Sequence, residues 1–222
     1  VPKQIVRADL FVFVESELIS ASNELKPAKS NEYGRLDKGA AWTLLARLYL
    51  NAKVYTGVDR NADVIKNTEK VIASGYSLHP SYANLFMADN HINNPENIFS
   101  VVYDGARTQT NGGTTFLVHA AIGGSMDPDD FGVNGGWGGL RTTKAFVQKF
   151  ETNDVRGRFY KDGQTLEIND LGNFNDGYAF IKYKNVKSTG AAGVDDNWVE
   201  ADLSMYRLAD VYLMYAEAVV RG

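Results

Sequence analysis

The chain has 222 residues, 44% of them hydrophobic, and 23 Lys and Arg stand against 27 Asp and Glu for a net charge of −4. That length suffices for one fair-sized core or two small ones, and a near balance of charge without a basic block gives no electrostatic footprint for nucleic acid or an anionic membrane. The absence of cysteine excludes disulfides, thiolate metal sites and a cysteine nucleophile but leaves the compartment open.

The opening "VPKQIVRADLF" has neither an initiator Met nor a signal-peptide pattern, so the N-terminus reads as processed or excised. No apolar run has the length needed to span a bilayer. Between Ile5 and Leu25, Phe11, Val14, Leu18, Ala21 and Leu25 step by three and four residues, and Pro27 blocks continuation; this predicts an amphipathic helix. Leu36 to Tyr55 predicts a second, mostly buried helix whose polar residues are largely confined to a stripe of Thr43, Arg47 and Asn51. "NADVIKNTEKVIASG" predicts a third, with Val64, Ile65, Thr68, Val71 and Ile72 on one side and Gly75 at its left-handed end. The second and third form an antiparallel hairpin, and Gly39, Ala40, Ala41 and Ala46 permit close approach as in TPR-type units, although no fixed repeat period is visible.

After about Met87 the character changes. "NIFSVVYDG" holds a short β-rich run, and Asn111 to Leu140 is rich in glycine with no periodicity to make an element. "RTTKAFVQKFE" predicts a short helix capped by Thr142 or Thr143, with Phe146, Val147 and Phe150 inward. "RFYKDGQTLEI" predicts a hairpin turning at Asp162 and Gly163, and "YAFIKYKN" alternates as a strand does. The closing "YRLADVYLMYAEAVVRG" predicts a helix from Tyr206 that is apolar over most of its circumference, with Arg207, Asp210, Met214, Glu217 and Arg221 on one stripe. Pairing of Arg207 with Asp210 and of Glu217 with Arg221 would compensate those charges, and the wide apolar arc calls for neighbours on several sides. The fold class that follows is mainly α: a TPR-like scaffold over 1–87, a loop-rich insertion with short strands over 88–200 and a returning scaffold helix over 201–222.

Candidate chemistry is sparse. His79, His91 and His119 sit in separate contexts without metal-ligand spacing, and Asp127, Asp129 and Asp130 of "MDPDDFG" lack the spacing and closing Glu of a calcium loop. Neither a phosphate-binding glycine loop nor a nucleophile elbow occurs, so no catalytic residue, metal or cofactor is assigned. What remains is aromatic. Phe131 and Trp137 lie in a polar, glycine-rich loop, where a ring either closes a small local core or serves as a ligand platform; both roles stay open for them, while packing weighs more for Trp198. A sugar presents an apolar C–H face and a polar rim, which suits exposed rings beside amide and guanidinium groups. Phe131, Trp137, Asn134, Arg107 and Trp198 are therefore the candidate ligand contacts.

Several stretches resemble the SusD/RagB family. "RLADVYLMYAEAVVRG" is similar to its R-x-A-D-x-x-L-x-x-A-E-A helix, and "GRLDKGAAWTLLARLYLNA" to its G-R-x-x-K-G-A-A-x-x-L-L-A-R-x-Y-L helix, preceded by a helix that "FVFVESELISASNEL" resembles. "NPENIFSVVYDG" is similar to the E-x-I-F-x-V strand, and Gly136, Trp137, Thr143, Val147, Phe150, Asp154 and Arg156 match the segment between. The resemblance implies an internal fragment of a surface-exposed outer-membrane lipoprotein, anchored by a lipid absent from this chain. Such a protein binds glycans or other nutrients without turning them over and hands them to a SusC-like TonB-dependent transporter. A helical protein-interaction scaffold without direct sugar contact is the alternative reading.

Overall fold

The computed structural model describes residues 3–222, which divide into two compact units: residues up to Leu78 with Pro95–Val101 and Ser204–Gly222, and His79–Asn94 with Val102–Leu203. The architecture is mainly helical with a few short strands, as the sequence predicts. No helix among the described residues is long and apolar enough to cross a membrane.

In the helical unit, α1 (Arg7–Glu24) buries Phe11 and turns Val14, Leu18 and Ala21 to the same side, the predicted stripe. It lies against α2 (Lys38–Leu50) and α3 (Ala52–Thr56). Asp37 starts α2 by accepting the Ala40 N–H at 3.2 Å, which satisfies one of the donors a helix N-terminus leaves open. The single helix expected over 36–55 is two, because the chain leaves helical geometry at Asn51, whose amide donates back to the Arg47 carbonyl at 3.2 Å. Its polar stripe runs from a buried start to an exposed end at Asn51. Thr43 is fully buried with its hydroxyl donated to the Gly39 carbonyl at 2.8 Å, and Arg47 pairs with Asp210 while its guanidinium lies 5.0 Å from the Tyr206 ring centroid. α4 (Asn61–Ile72) buries Val64, Thr68 and Val71 against α2, and Gly75 follows in the left-handed region.

The last helix starts later than predicted. Tyr206 and Arg207 belong to a strand, β4 (Leu203–Arg207), which pairs with β1 (Asn97–Val101), and α7 (Leu208–Arg221) begins after it. Arg207 does not pair with Asp210: it reaches Glu96 at 2.5 Å, and Asp210 goes to Arg47. The expected Glu217 to Arg221 pair does form. Leu208, Val211, Met214 and Ala218 of α7 join Leu45, Tyr49, Val64 and Val71 in one core, each large side chain contributing about 2 kcal/mol of burial. The opposite side of the apolar arc has no cover among the described residues, since Leu213 is 69% and Val220 87% exposed.

The second unit is mostly loop around a smaller core of Val118, Ile122, Met126, Phe131, Val133, Ala179, Val199 and Ala201. Residues 79–87, read with the helices from sequence, pack here together with 88–94: the Ala88 N–H donates to the Val186 carbonyl at 3.0 Å. A seven-residue helix, α5 (Gly113–His119), stands in the stretch expected to hold no element. α6 (Lys144–Val147) is capped by Thr143, and Phe146 packs edge-on to Phe150, Phe159 and Phe180. β2 (Phe159–Tyr160) pairs antiparallel with β3 (Ala179–Phe180), not with the residues just after the Asp162–Gly163 turn. Those residues are claimed by another partner, Thr165 exchanging backbone bonds with Asn175 and Gly177.

Candidate ligand platform

The platform is built on the C-terminal end of α5. A helix end leaves carbonyls without partners, and here the returning segment "GWGGL" supplies them: the Trp137 N–H donates to the His119 carbonyl at 2.8 Å, Gly138 to Ile122 at 2.9 Å, and Gly139 and Leu140 to Ala120 at 2.8 and 2.6 Å. Such close backbone approach explains Gly136, and a φ of 59° explains Gly138. A methyl group on Gly136 would come within 2.4 Å of the Ile122 carbonyl oxygen, so Gly136→Ala is expected to cost about 1–3 kcal/mol and to shift the Trp137 indole resonances, checked by urea unfolding and by NMR.

Trp137 is 46% exposed and stacks on the buried His119 ring at 4.8 Å and 19°, so its opposite face is the one turned to solvent. His119 is held on both sides, its Nδ1 2.7 Å from the Gly135 carbonyl oxygen and its Nε2 3.1 Å from that of Asn197. Phe116 of α5, 43% exposed, stands 6.3 Å from the Trp137 ring. Beside the rings, the Asn134 amide donates to Asn197 Oδ1 at 2.6 Å, and the Asn134 N–H donates to the Asp196 carbonyl at 3.1 Å. The 195–198 loop is folded by Asp195, whose carboxylate accepts the N–H groups of Asn197 and Trp198 at 2.7 and 3.0 Å.

Of the residues singled out from sequence, Trp137 stacks on His119, whose Nε2 lies against the Asn197 carbonyl, and Asn134 bonds the same Asn197; half-buried Trp198 follows in that loop. Arg107 is exposed on a turn whose N–H groups bond Asp104, and that turn abuts the Trp198 backbone: a methyl on Gly105 would sit 2.9 Å from the Trp198 carbonyl. Hydrogen bonds from the Arg107 and Thr108 amides outweigh burial and hold the Asp104 carboxyl below the usual range. Phe131 corrects the expectation of a possible platform ring. It is 2% exposed, edge-on to Tyr160 at 6.2 Å and under the Lys184 ammonium at 4.6 Å, and has no face to offer a ligand. The turn that drives it inward is Gly132, at φ 72°, where a Cβ would meet the Asn185 carbonyl at 2.2 Å.

Sequence reasoning missed three contributors. Phe116 and His119 belong to a helix too short to show its period. Asn185 is fully buried and ties the site's loops, donating its amide to the Gly132 and Asp195 carbonyls at 2.9 and 2.8 Å and accepting the Glu200 N–H at 3.0 Å; nothing local in its sequence marks it. The Asp154 and Arg156 match proves to be a self-contained turn, in which the Arg156 side chain and backbone lower the Asp154 carboxyl to about 2. Among the described residues no group of three or more His, Asp or Glu is placed to hold a metal ion.

Residues 159–221 match the SusD family model. The chain is 29% identical to the starch-binding protein SusD of Bacteroides thetaiotaomicron, over 96% of its own length and 47% of that protein's. Among solved structures, surface glycan-binding protein A of Bacteroides thetaiotaomicron in complex with laminarihexaose superposes with a TM-score of 0.71 at 22% identity, covering 96% of this chain and 50% of that one. A SusD superfamily protein from Parabacteroides distasonis gives 0.66 at 24%, over 92% and 44%. The chain thus spans about half the length of the relatives it matches. By the family model over residues 159–221, by sequence and by fold, the chain is similar to proteins of the SusD family.

Proposed function

We propose that the chain is part of a glycan-binding protein, lipid-anchored at the outer-membrane surface, which captures an oligosaccharide or polysaccharide and passes it to a SusC-like TonB-dependent transporter. The observation that carries the reading is the exposed face of Trp137, fixed from behind by His119 and flanked by Phe116, with the bonded Asn134 and Asn197 amides tied to the same His119 through the Asn197 carbonyl. A flat apolar ring together with amides matches the C–H face and hydroxyl rim of a sugar. The relative named for starch binding and the neighbour holding laminarihexaose add support from outside the chain. Calorimetry and affinity electrophoresis against a polysaccharide panel test the proposal: saturable binding of at least one glycan, recovered uncleaved, is expected. A folded protein that binds none of them, or that cleaves what it binds, sinks it.

The alternative, a helical scaffold whose ligand is another protein, draws on one observation: Val12 and Phe13 of α1 and Leu213 and Val220 of α7 are apolar and exposed. Co-purification with a transporter in the absence of any glycan binding would favour it.

A further inference from the structure

The second unit also holds a small polar cavity, about 180 Å³, between segments 79–94 and 186–192. Three hydrogen bonds fix the two segments to each other although they lie about a hundred residues apart in sequence: the Ala88 N–H to the Val186 carbonyl at 3.0 Å, and the Ser188 N–H and hydroxyl to the two Asp89 oxygens at 2.8 and 2.6 Å. Beneath them the buried Asn90 uses its whole amide, donating to the Leu85 and Asp202 carbonyls at 3.0 and 2.9 Å and accepting the Asp202 N–H at 2.9 Å. The cavity is therefore rigid before any ligand arrives, which lowers the cost of binding.

Its lining is chemically mixed in one particular way. Asn84 accepts the Ser81 hydroxyl at 3.1 Å through its carbonyl, which leaves its amide hydrogens for a ligand. The Asp89 carboxylate accepts the Ser188 N–H and hydroxyl and its own backbone N–H, and with about four lone-pair sites it keeps acceptor capacity for a ligand. Asn93, held at a φ of 51°, adds a second amide, and Ile92, 55% exposed, supplies the only large apolar surface in the lining. Several donors, a carboxylate acceptor and one apolar wall describe a site for a ring bearing hydroxyls. The volume is below the range of about 300–1,000 Å³ typical of drug-sized ligands and suits a single ring. We infer that this cavity binds one neutral sugar residue, a carbohydrate site separate from the Trp137 platform and argued independently of it. Although burial alone would raise the Asp89 carboxyl, the Ser188 bonds, together with its own amide and His91, outweigh it and keep it below the usual range, so the lining presents a carboxylate, which disfavours acidic sugars.

The test is residue-resolved NMR titration of the full chain with D-glucose, D-galactose and D-mannose, and with D-glucuronate as the anionic control. One of the neutral hexoses is expected to shift the backbone amides of Asp89, Asn93 and Ser188 with roughly millimolar affinity, and glucuronate to bind at least about tenfold more weakly. Asn84→Ala, which leaves the Asp89–Ser188 frame intact, should weaken binding about tenfold, and Trp137→Ala should leave these shifts unchanged. The inference is overturned if none of the three hexoses moves those amides, if Asn84→Ala has no effect, or if glucuronate binds as well as the neutral sugars. Because each site reports through its own amides, failure here and failure of the platform reading are told apart in one spectrum.

Discussion

Arg207→Ala is expected to lower the unfolding free energy by about 3–5 kcal/mol, the largest loss for any single charge in the helical unit. Its partner Glu96 is buried, with a side chain only 3% exposed, and the Arg207 side chain is 20% exposed, so water screens the pair little. The effect comes less from the attraction lost than from the carboxylate left behind, because a buried charge deprived of its counterion keeps its full desolvation cost. Position adds to this. Glu96 precedes β1, Arg207 ends β4, and the Leu208 N–H that opens α7 donates to the Glu96 carbonyl at 3.0 Å, so one residue pair fixes both the strand pairing and the start of the helix. Urea unfolding followed by circular dichroism measures the loss as a shift in midpoint at constant slope. The double variant Glu96→Gln with Arg207→Met should recover much of it, since no charge is then buried. Arg35→Ala, which breaks an exposed pair with Glu32, should change stability by less than about 0.5 kcal/mol. A loss below about 1 kcal/mol for Arg207→Ala, or a double variant no better than the single one, refutes the account.

The same pair shows where sequence reading stops. Arg207 and Asp210 are three residues apart, and a helical wheel puts them on one stripe; what places Arg207 in a strand instead is Glu96, 111 residues away. Elements whose cause is local were legible: the stripe of Phe11, Val14 and Leu18 in α1, the Thr143 cap, and the left-handed Gly75 after α4. Elements with distant causes were not, among them the break at Asn51 and the pairing of β2 with residues 179–180. The candidate site divides along the same line. Both rings stand open in the sequence between packing and platform; the structure leaves Trp137 46% exposed, a large ring amid glycines with few neighbours in its own segment to cover it. Phe131, six residues earlier in the same kind of loop, goes inward because Gly132 turns against the backbone of Asn185 and the Asn185 N–H donates to the Phe131 carbonyl at 2.9 Å. Composition is the same for both rings, and only the tertiary partner separates them.

That separation gives the second large effect. Trp137→Ala is expected to weaken glycan binding by about thirtyfold or more, the loss of roughly 2 kcal/mol or above that removal of a central aromatic anchor brings. The ring's outer face is already exposed and its inner face rests on His119, which is itself bonded to two carbonyls, so a ligand finds the indole in place and spends little on ordering it. Stability should fall by only about 1 kcal/mol, the value of the stacking contact, because the 137–140 segment remains tied to the end of α5 through its backbone. Trp137→Phe should retain part of the affinity, having a smaller ring in the same place. Phe131→Ala should do the opposite, costing about 3–5 kcal/mol of stability through the cavity it leaves and reaching ligand binding only through unfolding. Calorimetric titration with the best glycan of the panel, beside thermal melts of each variant, separates the outcomes. If folded Trp137→Ala binds as tightly as the parent chain, the platform is not the site; if it unfolds, Trp137 is a core residue and its exposed face is incidental.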